Sequence, residues 1–213
     1  MRAFAAFAAL VGVASATLGV DVSQLFPVSS WSCMVGQGYI FAIIRCYCST
    51  GEVDSNCAKS VANAWSGGMS YVDAYMFPCP SCGNAAGQAK ELKDYITSNS
   101  VNVGLIWLDI EGTQYWLGDT TNNRNFMNEM ASALDTQFGA DKWQIYANKY
   151  QWTSIFGEWT DYSHKQLWWA YYDYTADLTA NWVNFCGWTK PAIKQYQGTD
   201  SSMCSMSIDH NVY

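Results

Sequence analysis

Two carboxylic acids stand one residue apart in the segment Asp109-Ile110-Glu111. Residues 105–108 before them are apolar, which is typical of a buried strand in a parallel sheet. Since side chains alternate along a strand, Asp109 and Glu111 are predicted to point the same way, with Cα atoms about 6.5 Å apart. Burial and mutual repulsion should raise the pKa of at least one of them. A protonated acid beside an ionised one is the arrangement that glycoside hydrolysis needs.

The elements around the triplet have to position it, because most such pairs lie on exposed helices or loops as solvated charge. Predicted strands occupy residues 19–23, 39–47, 71–77, 105–111, 143–147, 166–171, 192–197 and 205–208. Predicted helices run from a cap at Asp54 or Ser55 to Gly67, and over residues 84–98, 121–138 and 150–156. This alternation predicts an α/β fold, a single irregular TIM-like barrel of parallel strands. The late strands lack long helices between them, which indicates a partly antiparallel closure.

Polar and aromatic side chains gather at the predicted strand ends, where the active site of such a barrel lies. They are Asp21, Tyr75, Asp109, Glu111, Tyr146, Tyr171 and Asp209. This convergence favours a carboxylate-based hydrolase over a solvated acidic surface.

The first 16 residues have the pattern of a signal peptide: Met1-Arg2, an apolar stretch, and Ala14-Ser15-Ala16 as the cleavage site. We therefore expect a signal peptide at residues 1–16 and one catalytic domain at 17–213. No later stretch is apolar enough to predict membrane insertion. The protein is expected to be secreted, or delivered by the secretory pathway to an acidic vesicle.

Eight cysteines in such a chain predict disulfides. The favoured pairs are Cys79–Cys82 and Cys186–Cys204, which leaves four cysteines to pair among themselves, namely Cys33, Cys46, Cys48 and Cys57. Only two histidines are present and there is no H-E-x-x-H motif, so neither a metal site nor a cofactor is predicted. His164 lies in a polar loop, and His210 is expected to support its neighbour Asp209 rather than to react.

The charge and aromatic content narrow the possible partners. A net charge of −7 without a basic cluster argues against nucleic acid. The 11 Trp and 14 Tyr exceed what core packing alone suggests, and flat rings suit the apolar faces of sugars. An acidic chain is repelled by an anionic substrate, and this repulsion should be weakest in acid, so we predict an acidic activity optimum on such a substrate. The sequence gives no oligomeric state, and a monomer is expected.

Seven short segments form an ordered set along the chain. They are Gly19-Val20-Asp21-Val22-Ser23, Ala74-Tyr75-Met76-Phe77, Leu108-Asp109-Ile110-Glu111, Ile145-Tyr146-Ala147, Leu167-Trp168-Trp169-Ala170-Tyr171-Tyr172, Gln195-Tyr196 and Ile208-Asp209-His210-Asn211. In this order they resemble the motifs of the glycoside hydrolase family 25 lysozymes, in a cysteine-rich eukaryotic form. The resemblance spans nearly the whole chain after residue 16.

The resemblance implies a flattened (β/α)5(β)3 barrel with disulfides that cleaves the β-1,4 bond between N-acetylmuramic acid and N-acetylglucosamine in bacterial peptidoglycan. Glu111 is similar in position to the proton donor of the family. Asp109 resembles the carboxylate that stays ionised and assists the substrate N-acetyl group, and Asp21 and Asp209 resemble two further acids of the cleft floor. The sugar site would include Tyr75, Tyr146, Trp168, Trp169, Tyr171 and Gln195.

Departures and alternatives accompany this resemblance. Met76 replaces the usual His, and Lys194 stands where a Trp would precede Gln195. Cys46 and Cys48 lie in a segment where the family usually has an I-K-A-T-E-G type stretch. The alternative from another class is a catalytically silent carbohydrate-binding protein, which would need the aromatic side chains but not both acids. A chitinase-like hydrolase is a second alternative, although its acidic strand motif is not matched before Asp109.

Overall fold

The computed structural model describes residues 16–213, so the expected signal peptide lies outside this range apart from Ala16. Within the range the chain forms nine strands, namely β1 Leu18–Val22, β2 Tyr39–Cys48, β3 Glu52–Val53, β4 Tyr71–Met76, β5 Ile106–Asp109, β6 Trp143–Ala147, β7 Leu167–Ala170, β8 Ile193–Asp200 and β9 Ile208–Val212. The five α-helices of the described residues are α1 Val28–Gly36, α2 Cys57–Ser66, α3 Ala85–Ser98, α4 Thr120–Phe138 and α5 Lys149–Phe156.

Eight of the strands close into a barrel in the order β1-β2-β4-β5-β6-β7-β8-β9, with β9 hydrogen-bonded back to β1. The pairs from β1 through β8 are parallel, and β9 runs antiparallel to both of its neighbours. Strand β3 adds a short hairpin to β2 outside the barrel. Five strand–helix units followed by three strands confirm the predicted fold, including its partly antiparallel closure.

The apolar side chains form two layers on the two faces of the barrel wall, as strand alternation requires. The interior layer includes Phe41, Ile43, Trp107, Trp168 and Ile193. The larger outer layer packs the five described helices against the strands. The interior layer stops short of the carboxyl ends of the strands, where polar side chains take over.

Side-chain caps set the start of three helices. The side-chain oxygen of Asn84 accepts from the backbone N–H of Gly87 at the start of α3, and that of Asp119 accepts from Thr121 at the start of α4. Asn148 caps α5 by accepting from Gln151. Helix α5 therefore begins three residues after Tyr146, immediately beside the carboxyl end of β6.

Three predictions about individual elements were wrong. Strand β5 ends at Asp109 rather than at residue 111, because the chain turns at Gly112, whose φ of 65° is open to glycine. The last strand is Ile208–Val212 and not 205–208, since Ser205 has a φ of 57° that a strand does not accept. Helix α1 was not predicted.

The disulfides differ in part from the predicted pairs. Cys79–Cys82 is confirmed, whereas Cys204 bonds to Cys33 rather than to Cys186. Because β1 lies beside β9, helix α1 after β1 comes close to the segment before β9, and this places Cys33 next to Cys204. Cys46 bonds to Cys57, as the predicted group of four allowed. In residues 16–213, Cys48 and Cys186 carry no disulfide, and no helix there is long and apolar enough to cross a membrane.

Candidate active site

A small cavity of about 80 Å³ lies at the carboxyl end of the barrel. Its lining contains all four predicted acids and four of the predicted sugar-binding residues, together with one residue that the sequence did not suggest. The lining residues are Asp21, Tyr75, Asp109, Glu111, Tyr146, Trp168, Tyr172, Gln195 and Asp209. Residues up to 188 positions apart in the chain thus meet in one place because the barrel closes β9 onto β1.

The backbone explains how each acid reaches the cavity. Asp21 on β1 and Asp209 on β9 are direct partners in the antiparallel register. Asp109 is the last residue of β5, and Glu111 follows after the chain has left the strand. The carbonyl of Glu111 accepts from the indole Nε1 of Trp116 at 3.0 Å, which holds its backbone in place. The prediction that Asp109 and Glu111 face the same side is confirmed.

Gln195 is the centre of the hydrogen-bond network in this cavity. Its Nε2 donates to the Oδ2 of Asp21 at 2.8 Å and to the Oδ2 of Asp209 at 3.3 Å. Its Oε1 accepts from the hydroxyls of Tyr146 at 2.8 Å and Tyr172 at 2.9 Å. One buried amide therefore fixes two acids and two tyrosines, a connection that strand positions alone do not reveal.

Asn211 is a second amide that orients an acid. Its Nδ2 donates to the Oδ2 of Asp21 at 2.7 Å, while its Oδ1 accepts from the Nε1 of Trp168 at 2.7 Å. Asn211 is fully buried on β9, two residues after Asp209. Because side chains alternate, this spacing places both residues on one face of β9, and it is the signal that could have identified Asn211.

Burial raises the pKa of every acid in the cavity. For Asp109 burial is the main cause, followed by the negative charges of Glu111 and Asp21, and its pKa lies well above the ordinary value. The pKa of Glu111 is raised by burial and then by Asp209. Asp21 is raised by burial and by Asp209, against the hydrogen bonds from Asn211 and Gln195.

The sequence predicts that Asp109 stays ionised, whereas burial and the charges of Glu111 and Asp21 raise its pKa and so oppose ionisation in the substrate-free protein. Asp109 is only 4% exposed, and its Oδ1 is buried without a hydrogen-bond partner in the described structure. Positive charge or a donor supplied by a ligand would offset the cost of the ionised form. The raised pKa of Glu111 agrees with the prediction, although burial and Asp209 cause it rather than crowding by Asp109 alone.

A larger cavity of about 790 Å³ adjoins the first and shares Glu111, Tyr146 and Tyr172 with it. Its walls are the start of α5 and the segment between β7 and β8, and they include Asn148, Lys149, Tyr150, Gln151, Thr153, Trp169, Ala170, Tyr171, Asn181, Val183 and Phe185. The rings of Trp169 and Tyr171 stack here with centroids 4.9 Å apart. The two cavities together form a continuous groove with aromatic walls and acids at one end.

The two neighbouring tryptophans of β7 point to opposite faces of the barrel wall and line different cavities. Trp168 points into the barrel and lines the small cavity, whereas Trp169 points outward and lines the larger one. The sequence did not identify Tyr172, which lines both cavities, because strand alternation ends at Ala170. Nor did it identify the cavity residues of α5. Among the described residues, no group of three or more His, Cys, Asp or Glu side chains is placed to hold a metal ion.

Comparison with known proteins assigns the family. A family model described as Lysozyme-like protein 1 matches residues 12–196. The Dictyostelium discoideum protein "Probable GH family 25 lysozyme 2" is 42% identical over 207 residues, which covers 97% of this chain and 95% of that protein. The chain belongs to the lysozymes of glycoside hydrolase family 25. This family 25 lysozyme is thus a glycoside hydrolase, as the paired acids suggested.

Two further likenesses extend along almost the whole lysozyme. "Lysozyme-like protein 5" of Caenorhabditis elegans is 35% identical over 205 residues, covering 93% of this chain and 92% of that protein. The crystal structure of the bacterial lysozyme from Streptomyces coelicolor superposes with a TM-score of 0.72 at 25% identity, and it covers 93% of this lysozyme and 92% of that chain. The barrel and its carboxyl-end groove are therefore compared over their full length, and no large insertion separates the chains.

Proposed function

We propose that this family 25 lysozyme is an exported N-acetylmuramidase that hydrolyses the β-1,4 bond between N-acetylmuramic acid and N-acetylglucosamine in bacterial peptidoglycan. The observation that carries the proposal is the groove itself, with four acids at one end and an aromatic channel leading away from Glu111. A glycan chain is long, neutral along its backbone and apolar on its ring faces. Stacked rings such as Trp169 and Tyr171 can therefore cover it while the acids act on one linkage.

Glu111 is assigned the general acid. It is half-buried at the junction of the two cavities, so a bound glycan can reach its carboxyl group. Burial and Asp209 raise its pKa, which favours the protonated form that a general acid needs. The proton passes to the glycosidic oxygen as the bond from that oxygen to C1 of the muramic acid breaks, and the leaving sugar takes the hydroxyl.

Asp109 is assigned to the substrate N-acetyl group. The acetamide carbonyl oxygen attacks C1 as the leaving group departs, and a cyclic oxazolinium ion forms. Asp109 lines the small cavity, where its carboxyl group can accept a hydrogen bond from the acetamide N–H. Positive charge growing on the sugar lowers the pKa of a carboxyl group in contact with it, which favours the ionised form of Asp109 at that stage. Water, deprotonated by Glu111, then opens the ring with net retention.

Asp21 and Asp209 are assigned to the floor of the site. Two amide donors hold the Oδ2 of Asp21, and the backbone N–H of Thr199 donates to the Oδ1 of Asp209 at 2.5 Å. These acids supply a negative field toward the charge that develops on the sugar. Tyr75 and Tyr146, which line the same cavity, close it against water and limit where the sugar can lie.

Export is supported by the pattern of residues 1–16 and by three disulfides, which persist in oxidising compartments. The biological role that fits is breakdown of bacterial walls, in defence or digestion, outside the cell or in an acidic vesicle. With a net charge of −7, the lysozyme should act best in acid, because protonation of its carboxylates weakens its repulsion from an anionic wall. The effect should be clearest at low salt, where this repulsion is least screened. A rate profile that peaks at or above neutral pH would contradict this.

The deciding experiment compares the protein with Glu111→Gln on purified peptidoglycan between about pH 4 and about pH 7. Glu52→Gln on the exposed hairpin strand β3 is the matched control. New sugar ends are reduced with borohydride and identified by mass spectrometry. We expect reduced muramic acid from the unchanged protein and from Glu52→Gln, and a loss of about 100-fold or more for Glu111→Gln.

Each other outcome has a definite meaning. Reduced glucosamine ends would place the cleaved bond on the other side of the muramic acid and refute the assigned specificity. Absence of new ends together with retained binding of the glycan would favour the alternative of a silent carbohydrate-binding protein. Equal rates for Glu111→Gln and the unchanged protein would remove Glu111 from the mechanism.

A further inference from the structure

Lys194 is a buried lysine on the outer face of the barrel, next to the larger cavity. Its side chain is 0% exposed, although it is flanked on β8 by Ile193 and Gln195, which face the interior. The ammonium Nζ donates to the Oδ2 of Asp173 at 2.8 Å. It also lies within hydrogen-bond distance of the carbonyl oxygens of Thr175 and Asp177, both at 3.2 Å, and of Ala180 at 3.3 Å.

These four oxygens all belong to one stretch of irregular backbone, residues 171–185, which we call the wall segment. It joins β7 to β8 and contains neither α-helix nor barrel strand. Its turns are stabilised locally, for example by the Oδ1 of Asp177, which accepts from the backbone N–H of Thr179 at 2.9 Å. Such local bonds shape the turns but do not attach them to the barrel. Lys194 does, because its backbone is part of β8.

The hydrogen bonds of the ammonium offset the cost of burying its charge. A buried ammonium is costly unless its three N–H donors are satisfied, and here one carboxylate and three carbonyls surround them. Partial burial opposes ionisation of Asp173, yet hydrogen bonds from Lys194 and Asn181 lower its pKa below the ordinary value. Removal of the ammonium would leave Asp173 with only the neutral donors of Asn181 and Thr175, and it would take a donor from each of the three carbonyls. The wall segment would then have to rearrange.

Other contacts tie the two ends of the wall segment to the barrel. Near its start, the backbone N–H groups of Tyr171 and Tyr174 donate to the carbonyls of Gln195 and Tyr196 at 2.9 and 3.0 Å, and the hydroxyl of Tyr172 donates to the Oε1 of Gln195 at 2.9 Å. The ring of Trp182 packs edge-on against Trp169, with centroids 5.0 Å apart. The Nζ of Lys194 lies 5.5 Å from the centroid of the same Trp169 ring. The ammonium therefore contacts both the wall segment and the ring against which Trp182 of that segment packs.

The wall segment supplies one side of the larger cavity. Tyr171, Tyr172, Asn181, Val183 and Phe185 all line it, while Lys194 does not. We propose that Lys194 is a positioning residue that fixes the wall segment on the barrel and thereby sets the affinity of the groove for glycan. The part of this proposal that concerns glycan rests on the proposed function. At the position where the family resemblance suggests a Trp, this chain has thus exchanged a ring for a charged anchor of the loop.

The test uses Lys194→Met, which keeps the length of the side chain and removes the ammonium. Lys165→Met is the matched control, because Lys165 is also buried, with its Nζ 3.8 Å from the Trp143 ring centroid, but it contacts no residue of the wall segment. Lys194→Arg is the conservative variant. Amide hydrogen exchange is followed by mass spectrometry, and kcat and KM are measured on peptidoglycan.

We expect hydrogen exchange in the wall segment to accelerate about tenfold or more in Lys194→Met, but not in Lys165→Met. KM should rise about tenfold while kcat stays within about twofold of the unchanged protein, since the acids keep their positions. Lys194→Arg should recover part of the protection and of the KM. Should Lys194→Met fail to fold, Asp173→Asn takes its place, because it removes the charged anchor at constant shape.

Three results would overturn the proposal. Exchange in the wall segment that is no faster in Lys194→Met than in Lys165→Met would show that Lys194 does not hold it. Faster exchange with an unchanged KM would show that the segment is not a binding wall, and so would a loss in kcat alone. If the unchanged protein hydrolyses no glycan, the proposed function fails separately, while the exchange comparison still decides whether Lys194 anchors the segment.

Discussion

The Nε2 of Gln195 on β8 lies 2.8 Å from the Oδ2 of Asp21 on β1, although these strands are separated by β9. The bond crosses the barrel interior and brings together the two ends of the described chain. It also shares its amide with Asp209 and with two tyrosine hydroxyls. The positions of the acids are therefore coupled through one neutral side chain.

Replacing this amide should disturb the chemistry more than the fold. In Gln195→Met, Asp21 loses a donor and the hydroxyls of Tyr146 and Tyr172 lose their acceptor. We expect kcat/KM to fall about ten- to a hundredfold, because small displacements of reacting groups are costly. Gln144→Met is the control, since Gln144 is also buried on a strand but lies outside both cavities. Equal rates for the two variants would contradict a role of Gln195 in the site.

Asp109→Asn should be inactive and yet more stable at neutral pH. The pKa of Asp109 is raised in the folded state, so its contribution to stability is fully present below the unfolded value of about 4 and is lost as pH rises through the folded pKa. An asparagine cannot ionise and avoids this loss. We expect a gain of about 1 to 3 kcal/mol in the free energy of unfolding at neutral pH, and almost none near pH 4.

Thermal unfolding at the two pH values measures this difference. Asp94→Asn is the control, because Asp94 is an exposed residue of α3. Its stability should change little at either pH. A stability of Asp109→Asn that equals that of the unchanged protein at every pH would mean that folding does not raise the pKa of Asp109.

The charge of Asp209 should set the alkaline limit of activity. After burial, this charge is the main cause of the raised pKa of Glu111, which must hold its proton to act as the acid. In Asp209→Asn the pKa of Glu111 falls, so the proton is lost at lower pH. We expect the alkaline limb of kcat/KM to move to lower pH. A limb that moves upward would exclude this assignment, and Asp94→Asn should leave the limb in place.

The disulfides should contribute unequally to stability. Cys33–Cys204 closes a separation of 171 residues, whereas Cys79–Cys82 closes one of 3. On the chain-entropy estimate, loss of the first costs about 5 kcal/mol and loss of the second about 2 kcal/mol. Urea unfolding of the paired serine variants compares them. Peptide mapping that recovers Cys186 bonded to Cys204 would contradict the arrangement described here.

The sequence predicted those parts of the site that depend on strand geometry. Asp21, Asp109 and Trp168 each lie on a strand, and the alternation of side chains placed them on the correct face. Glu111 was placed on the correct side for a partly wrong reason, since β5 ends two residues earlier. Local patterning therefore recovers what the strands dictate, because each strand has only two faces.

What the sequence did not predict depends on contacts between distant segments. The pairing of Cys33 with Cys204 follows from the closure of β9 onto β1, which no local pattern contains. Tyr172 enters the site from irregular backbone, where periodicity gives no direction. The oxygens around Lys194 are mostly backbone carbonyls, which every residue has, so side-chain identity could not reveal them.

The pairing of β1 with β9 also determines when the site can be completed during synthesis of the chain. A ribosome makes β1 first and β9 after every other element described, so Asp21 emerges long before its partner Asp209. Until β9 is added, the barrel is open and the floor of the groove lacks an acid and Asn211, which orients Asp21. The floor of the groove is therefore complete only after β9 has been made and has joined β1.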